Sequence, residues 1–371
     1  MQEETQLNTR QIAKKPLLVN RVGKKELRER LNNEPFKRKT FSFYRYVTIE
    51  DPQSFRNKLY EEWSELGCFG RIYIAREGIN AQMSVPEHNA DAFLAKLDST
   101  PGLTGMPIKW ALVDDGKSFY KLTIKVRPKI VADGLEEGSY DLSRVGKHLT
   151  ALEFHNQMDE PGTLVIDMRN HYESEIGKFE NAVCPDADTF KDAIQMVIRD
   201  HEADKDKKIL LYCTGGIRCE KASSFLIHHG FRDVSQLYGG IIEYGQQIRH
   251  LGLKSKFIGK NFVFDDRLGE TVDGQVISHC HQCGSAADTH TNCANNDCHL
   301  LFIQCPECAS KYNGCCSPEC RDILELPVDR RIELRTANHF RYSQSKIYNS
   351  RQAPSLLHYR KQQESMLQPN G

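Results

Sequence analysis

At 371 residues, with 39% hydrophobic and 27% charged side chains, the chain is long enough for two or three cores, and no apolar run approaches the ~20 residues that span a bilayer. The formal net charge is zero, yet eleven Lys/Arg against five Glu in residues 1–40, and eight against two in residues 330–371, leave +6 at each end and −12 between them. Basic ends on an acidic body suit a polyanionic partner such as RNA, the plain alternative being a pair of solvated tails.

Residues 1–40 form a basic segment without the apolar core of a signal peptide, which leads us to expect a cytoplasmic protein. Thirteen cysteines then stay reduced and point to metal or thiol chemistry rather than disulfides. A ferredoxin-like α+β domain is expected over 41–131: a strand at FSFYRYVTI (41–49), a helix after Asp51-Pro52 stopped by Gly67, and two strands in FGRIYIAREGINAQMSV (69–85). A second helix follows Pro86, with further strands at IKWALV (108–113) and YKLTIKV (120–126); the order β-α-β-β-α-β is the ferredoxin-like one. Arg45, Arg71, Arg76 and Asn80 are candidates for an RNA surface, although solvated strand edges use such residues more often.

Over 146–250 strands and helices alternate, implying a parallel α/β sheet: TLVIDMR (163–169), a helix at 189–201, KILLYC (208–213), a helix at 220–230, and VSQLYGG (234–240) ending on paired glycines. Between the second of these strands and its helix lies C-T-G-G-I-R (213–218). Gly215 and Gly216 let the backbone curl so that N–H groups converge on Cys213, a nest that lowers a thiol pKa, and Arg218 adds fixed positive charge. Thr214 and Ile217 complete the catalytic loop, and Cys219 is either a resolving thiol or a packed residue. Glu220 and Lys221 read as helix-start or solvated charges.

The loop resembles the active loop of the rhodanese family, C-x-x-G-x-R, and D-M-R-N-H-Y-E-S-E-I-G-K-F-E-N-A (167–182) and L-Y-G-G-I (237–241) resemble its flanking signatures, with Lys178-Phe179 where His-Ile is usual. The resemblance implies a nucleophilic or persulfide-forming Cys213. Phosphatases of this fold have five residues between cysteine and arginine, against four here.

Residues 279–321 make a cysteine-rich module. Cys280, Cys283, Cys293, Cys298, Cys305, Cys308, Cys315, Cys316 and Cys320 offer nine thiols, eight of which suffice for two tetrahedral zinc sites of structural type. His279, His281, His290 or His299 could replace a thiolate, and an iron–sulfur cluster or unliganded cysteines are the alternatives. His171-x-Glu173 imitates part of a facial iron triad. Residues 322–371 read as a basic, partly disordered tail in which Phe340, Tyr342 and Tyr348 are suited to stacking on bases.

REGINAQMS (76–84), CTGGIRCEKAS (213–223), GKNFVFDDR (259–267) and the cysteine module, in that order, resemble the oxygen-dependent tRNA uridine hydroxylases over roughly residues 35–325. That likeness implies hydroxylation of the wobble uridine at C5 to 5-hydroxyuridine, with molecular oxygen as co-substrate and the tRNA anticodon region as partner. Addition of the Cys213 thiolate to uridine C6 would make C5 carbanion-like, able to attack an electrophilic oxygen. A plain sulfurtransferase acting through a Cys213 persulfide and a non-catalytic RNA-binding scaffold are the competing readings.

Overall fold

The computed structural model describes residues 18, 20–136, 138–336, 346–353, 355–356 and 358–360. None of its helices is long and apolar enough to cross a membrane.

A short helix, α1 (Lys24–Asn32), precedes a mixed five-stranded sheet. In chain order come β1 (Arg38–Tyr46), α2 (Pro52–Glu65), β2 (Phe69–Ala75), β3 (Gly78–Pro86), α3 (Ala90–Ser99), β4 (Lys109–Trp110) and β5 (Leu122–Val126). The sheet order β4-β1-β3-β2-β5 is the ferredoxin-like arrangement with β5 added parallel to β2. Helix α2 starts where the Asp51 side chain accepts from the Gln53 and Ser54 N–H groups, with Pro52 preset for the first turn. Alternation along the strands decides the two faces. Phe41, Phe43, Ile72, Ile74, Ala81 and Met83 pack under α2 and α3 through Trp63, Leu59 and Phe93. The intervening residues Tyr44, Tyr73, Asn80 and Gln82 occupy the opposite, polar face.

The second unit has β6 (Lys147–Leu149), α4 (Ala151–Gln157), β7 (Leu164–Asp167), α5 (His171–Glu175) and β8 (Gly177–Phe179). It continues with α6 (Phe190–Asp200), β9 (Lys208–Tyr212), α7 (Ile217–His228), β10 (Asp233–Leu237) and α8 (Gly240–His250). Strands β6-β10-β9-β7 form a wholly parallel sheet. One face packs Ile194, Val197, Phe225 and Leu226 of α6 and α7, and the other Phe154, Ile241, Tyr244 and Ile248 of α4 and α8. Burial on both faces explains the unbroken apolar run ILLY in β9. The paired glycines after β10 do more than end a strand. Gly239 has φ +71 and Gly240 φ +67, and together they begin α8.

Strand β11 (Phe257–Asn261) joins β8 and β12 (Glu270–Thr271) in a small antiparallel sheet. The hairpin β13 (His290–Asn292)–β14 (Leu301–Ile303) and the helices α9 (Pro306–Lys311), α10 (Pro318–Glu325) and α11 (Val328–Thr336) follow. The described residues of the tail are folded against the rest of the chain. Residues 318–336 are largely helical, and beyond them Asn349 donates to Asp186 at 2.9 Å, Ser350 to Glu175 at 2.5 Å and Arg351 to the Cys184 carbonyl at 3.2 Å. Tyr348 is not a free stacking residue. It is buried 4.7 Å from the His281 ring and donates to the Ala353 carbonyl. Phe340 and Tyr342 lie outside the described residues.

Candidate active site

Strand β9 ends at Tyr212 and α7 begins at Ile217, so Cys213, Thr214, Gly215 and Gly216 form the turn at the carboxyl edge of the parallel sheet. Gly216 takes φ +98, and its N–H donates to the Cys213 sulfur at 3.2 Å. A Cβ at Gly216 would also lie 2.8 Å from the Tyr44 hydroxyl. Burial pushes the Cys213 thiol up. The Cys219 thiol, the Arg218 guanidinium and the Arg218 and Cys219 N–H groups outweigh it and bring Cys213 down to about 6. Cys219 is itself fully buried, and burial together with donation to Cys213 raises its own pKa well above the ordinary thiol value. It therefore stands beneath Cys213 as a hydrogen-bond donor.

Arg218 lies on Glu173 of α5 through two bonds of 2.6 and 2.8 Å, and its Nη2 also reaches Thr214 Oγ1 at 3.3 Å. Its charge is shared between a buried carboxylate and the loop, which makes it a positioning group as well as a field on the thiol. Burial raises the Glu173 pKa, but Arg218 and Arg169 hold it below the usual carboxylate range. Arg169 in turn grips Asp167 at 2.6 Å and the Gly177 carbonyl at 2.7 Å. From the other side α8 donates Ile241 N–H to the Cys213 carbonyl at 3.0 Å. A Cβ on Gly240 would sit 2.5 Å from that same oxygen, so only glycine fits there.

The polar face of the first sheet covers this loop. Tyr44 donates to Glu220 at 3.0 Å and Tyr46 to the Ile217 carbonyl at 3.2 Å. Glu220 and Lys221 are not solvated. Glu220 also lies 2.9 Å from His148 and accepts from Gln236, while Lys221 is fully buried between Asp133 at 2.5 Å and Glu77 at 2.9 Å. Between the two units lies a cavity of about 340 Å³. Cys213, Thr214, Gly215, Ile217 and Arg218 line its floor; Tyr44, Asn80, Gln82 and Lys109 line its roof; Phe264, Arg267 and Glu270 close one side. Cys213 itself has no exposed surface and lies at the floor of this cleft. Burial lowers Lys109 to about 8, with Cys213, Glu243 and Glu220 opposing, and burial raises Glu270 to about 7 against the pull of Arg267.

Of the first-domain candidates, Asn80 and Arg71 line the cavity, whereas Arg45 donates to the carbonyls of Gly102, Thr104 and Gly105 at the surface. Tyr44, Lys109 and Glu270 were not singled out from sequence. Strand alternation places the first two, because Lys109 pairs with Ser42, two residues from Tyr44, while Trp110 pairs with Phe41 on the core face.

The cysteines form two separate clusters: Cys280, Cys283, Cys305 and Cys308, and Cys293, Cys298, Cys316 and Cys320, the sulfurs of each lying within 4.8 Å of one another. Cys315 belongs to neither, and neither includes His279, His281, His290 or His299. His281 lies 2.9 Å from Glu175 and accepts from the Ile303 N–H. His171 and Glu173 do not converge, since His171 lies 2.8 Å from Asp188 while Glu173 holds Arg218.

A UPF0176 acylphosphatase-like domain family matches residues 38–130, a rhodanese-like domain residues 150–247 and a rhodanese C-terminal family residues 258–321. A Leptospira interrogans protein named tRNA uridine(34) hydroxylase is 53% identical over 338 residues, 90% of this chain and 92% of its own. Proteins of the same name from Photorhabdus laumondii and Yersinia enterocolitica are 51% and 50% identical over 335 residues, 90% of this chain and 94% and 95% of theirs.

Proposed function

The chain belongs to the tRNA uridine(34) hydroxylase family, and on that premise we propose that it hydroxylates uridine-34 of tRNA at C5, with Cys213 as the thiolate that activates the base. The observation that carries this reading is a fully buried sulfur held near pKa 6 at the floor of a cavity roofed by another domain. A thiolate at neutral pH adds to C6, and the electron pair displaced from the C5–C6 bond makes C5 the nucleophile that an oxygen electrophile needs. Converging N–H groups around the loop hold the sulfur in its ionised form before the base arrives. The cavity, at about 340 Å³, admits one unstacked nucleobase and excludes paired RNA, which fits a single-stranded anticodon position.

Molecular oxygen is the proposed co-substrate: one atom goes to C5 and the other leaves as water, with two electrons and two protons supplied by an external reductant such as a dithiol. The test is nucleoside mass spectrometry of tRNA incubated with the protein and a dithiol reductant under labelled dioxygen. Labelled 5-hydroxyuridine is expected from the wild type and none from Cys213→Ser; full product from the variant removes the cysteine from the mechanism, and product without label removes dioxygen as the oxygen source.

Zinc is the proposed occupant of both cysteine clusters. A tetrahedral zinc thiolate site spaces its sulfurs by about 3.8 Å. Cys283–Cys305, Cys298–Cys316 and Cys316–Cys320 stand 3.6, 3.6 and 3.7 Å apart. Four protein thiolates leave no open position, so these sites would hold the module together rather than perform the oxidation. The Arg360 guanidinium donates to Cys298 and Cys316 at 2.5 and 2.8 Å, offsetting part of the thiolate charge. Metal analysis should return two zinc ions per chain, and Cys315→Ser should still carry both.

A further inference from the structure

Four cationic side chains line the cavity over Cys213: Arg71, Lys109, Arg218 and Arg267. Three are committed. Arg218 is paired to Glu173, Arg267 is paired to Asp265 and Glu270, and the exposed Arg71 reaches the Phe264 carbonyl. Lys109 differs from all of them. It is only 5% exposed, and among the described residues no carboxylate or hydrogen-bond acceptor holds its ammonium group. Its Nζ stands 4.4 Å from the centroid of the Tyr44 ring, and its Cδ lies 3.9 Å from where a Cβ on Gly215 would be. No carboxylate is bonded to this ammonium, and it faces the cavity beside Cys213, with only the longer-range charges of Cys213, Glu243 and Glu220 and the Tyr44 ring to balance it, so it is placed to meet an anionic group that arrives there.

We propose that Lys109 is a catalytic residue whose ammonium group binds O4 of the target uracil and stabilises the negative charge that develops there when Cys213 adds to C6. The proposal rests on the reading of Cys213 as the attacking thiolate. In the step concerned, the Cys213 sulfur forms a bond to C6 and the C5–C6 π pair moves through C4 onto O4, giving an enolate. Lys109 donates a hydrogen bond to that oxygen and keeps its proton. Nothing is oxidised or reduced. Return of the pair allows C5 to take a solvent proton; loss of the original C5 proton and expulsion of the thiolate then regenerate uracil with an exchanged hydrogen. An ammonium aimed at the developing oxyanion gains most in a water-poor site, where it needs no reorganisation.

The titration properties agree. Lys109 is brought down to about 8 by burial, and the groups facing it are Tyr44 on β1, Cys213 in the loop, Glu220 on α7 and Glu243 on α8. Across the cavity stand Arg71, Arg218, Asp265, Arg267 and Glu270. The ammonium is present below about pH 8 and the thiolate above about pH 6, so the addition step is confined to the interval between them.

Exchange of the C5 hydrogen tests this without any oxidant. Full-length protein and a tRNA transcript carrying U34 are incubated in D2O without oxygen, and deuterium at U34 is read by mass spectrometry. Wild type is expected to exchange, Cys213→Ser to show none, and Lys109→Met to slow exchange roughly 100-fold. Lys109→Arg is expected to keep partial activity and to lose the alkaline limb near pH 8, because a guanidinium stays charged. A role in packing alone would leave that limb in place. Wild type that does not exchange refutes addition at C6 and the proposal with it. Cys213-dependent exchange that Lys109→Met leaves at the wild-type rate refutes the role of Lys109 alone. If Lys109→Met does not fold, an unmoved alkaline limb in Lys109→Arg refutes it equally.

Discussion

The same chain supplies internal controls for what the loop does to a thiol. Cys68 is buried and Cys184 half-buried, and burial pushes them up to about 12 and about 11. Cys213 is at least as buried and lies near 6, so the donors around it reverse a desolvation penalty that its neighbours obey. Cys219 is the largest of those donors. Cys219→Ala removes a hydrogen bond to the charged form and should raise the Cys213 midpoint by about one pH unit, the weight of one such bond. The check is the ultraviolet thiolate absorbance of each protein minus that of its Cys213→Ser counterpart. The sign is fixed by the chemistry, since thiolate is present above the midpoint and lost below it, so the acid limb of hydroxylation moves to higher pH in the variant. A resolving role for Cys219 predicts the opposite pattern, an unmoved midpoint and the loss of an oxidised Cys213–Cys219 pair.

Between elements, the loop depends on how closely α8 approaches it. Gly240 combines φ +67 with three backbone atoms of the loop, the Cys213 and Thr214 oxygens and the Gly215 nitrogen, within 2.7 Å of an added Cβ. Gly240→Ala must therefore shift α8 or the loop. We expect a stability loss of about 1–3 kcal/mol by denaturant titration and a larger proportional loss of hydroxylation, because the Cys213 carbonyl and sulfur move together. Stability lost with hydroxylation unchanged would detach the glycine from the site. What sequence made legible at this scale follows the range of the interactions. Strand, glycine turn and helix around Cys213 are local signals, and so is the β-α-β-β-α-β order. Short elements such as α4 and α5 carry too few residues for a period to register. Helix α8 was hidden because Gly239-Gly240 reads as a strand's end. Glu220 and Lys221 were misread because charges on a helix usually face water, and only the first domain's arrival buries them. Cys315 and Cys316 are neighbours in sequence, and spacing alone could not say which turns toward the cluster.

At the scale of the whole molecule, the site exists only because two folds meet, and Lys221 is where the meeting is tied. Its Nζ joins α7 to Glu77 in the turn between β2 and β3 and to Asp133 in the connection between the units. Asp133 feels burial pushing its pKa up, but Lys129 and Lys221 hold it below the ordinary carboxylate range, so it is ionised at neutral pH. Lys221→Met deletes one partner of a fully buried pair and leaves a carboxylate still supported by Lys129 at 2.7 Å and the Leu135 N–H at 2.8 Å. Removing one member of such a pair usually costs about 3–5 kcal/mol, and the surviving Lys129 contact places the expected loss near the lower end, about 3 kcal/mol by urea denaturation. The first sheet should loosen over the loop before the parallel sheet itself unfolds, because β9 and β10 keep their packing on both faces. Hydrogen exchange should accordingly rise first at Tyr44 and Tyr46 while the amides of β9 remain protected. A variant within about 0.5 kcal/mol of wild type, with unchanged protection at Tyr44, would show that the two domains are held together by the tyrosine contacts to Glu220 and Ile217 and not by this buried charge.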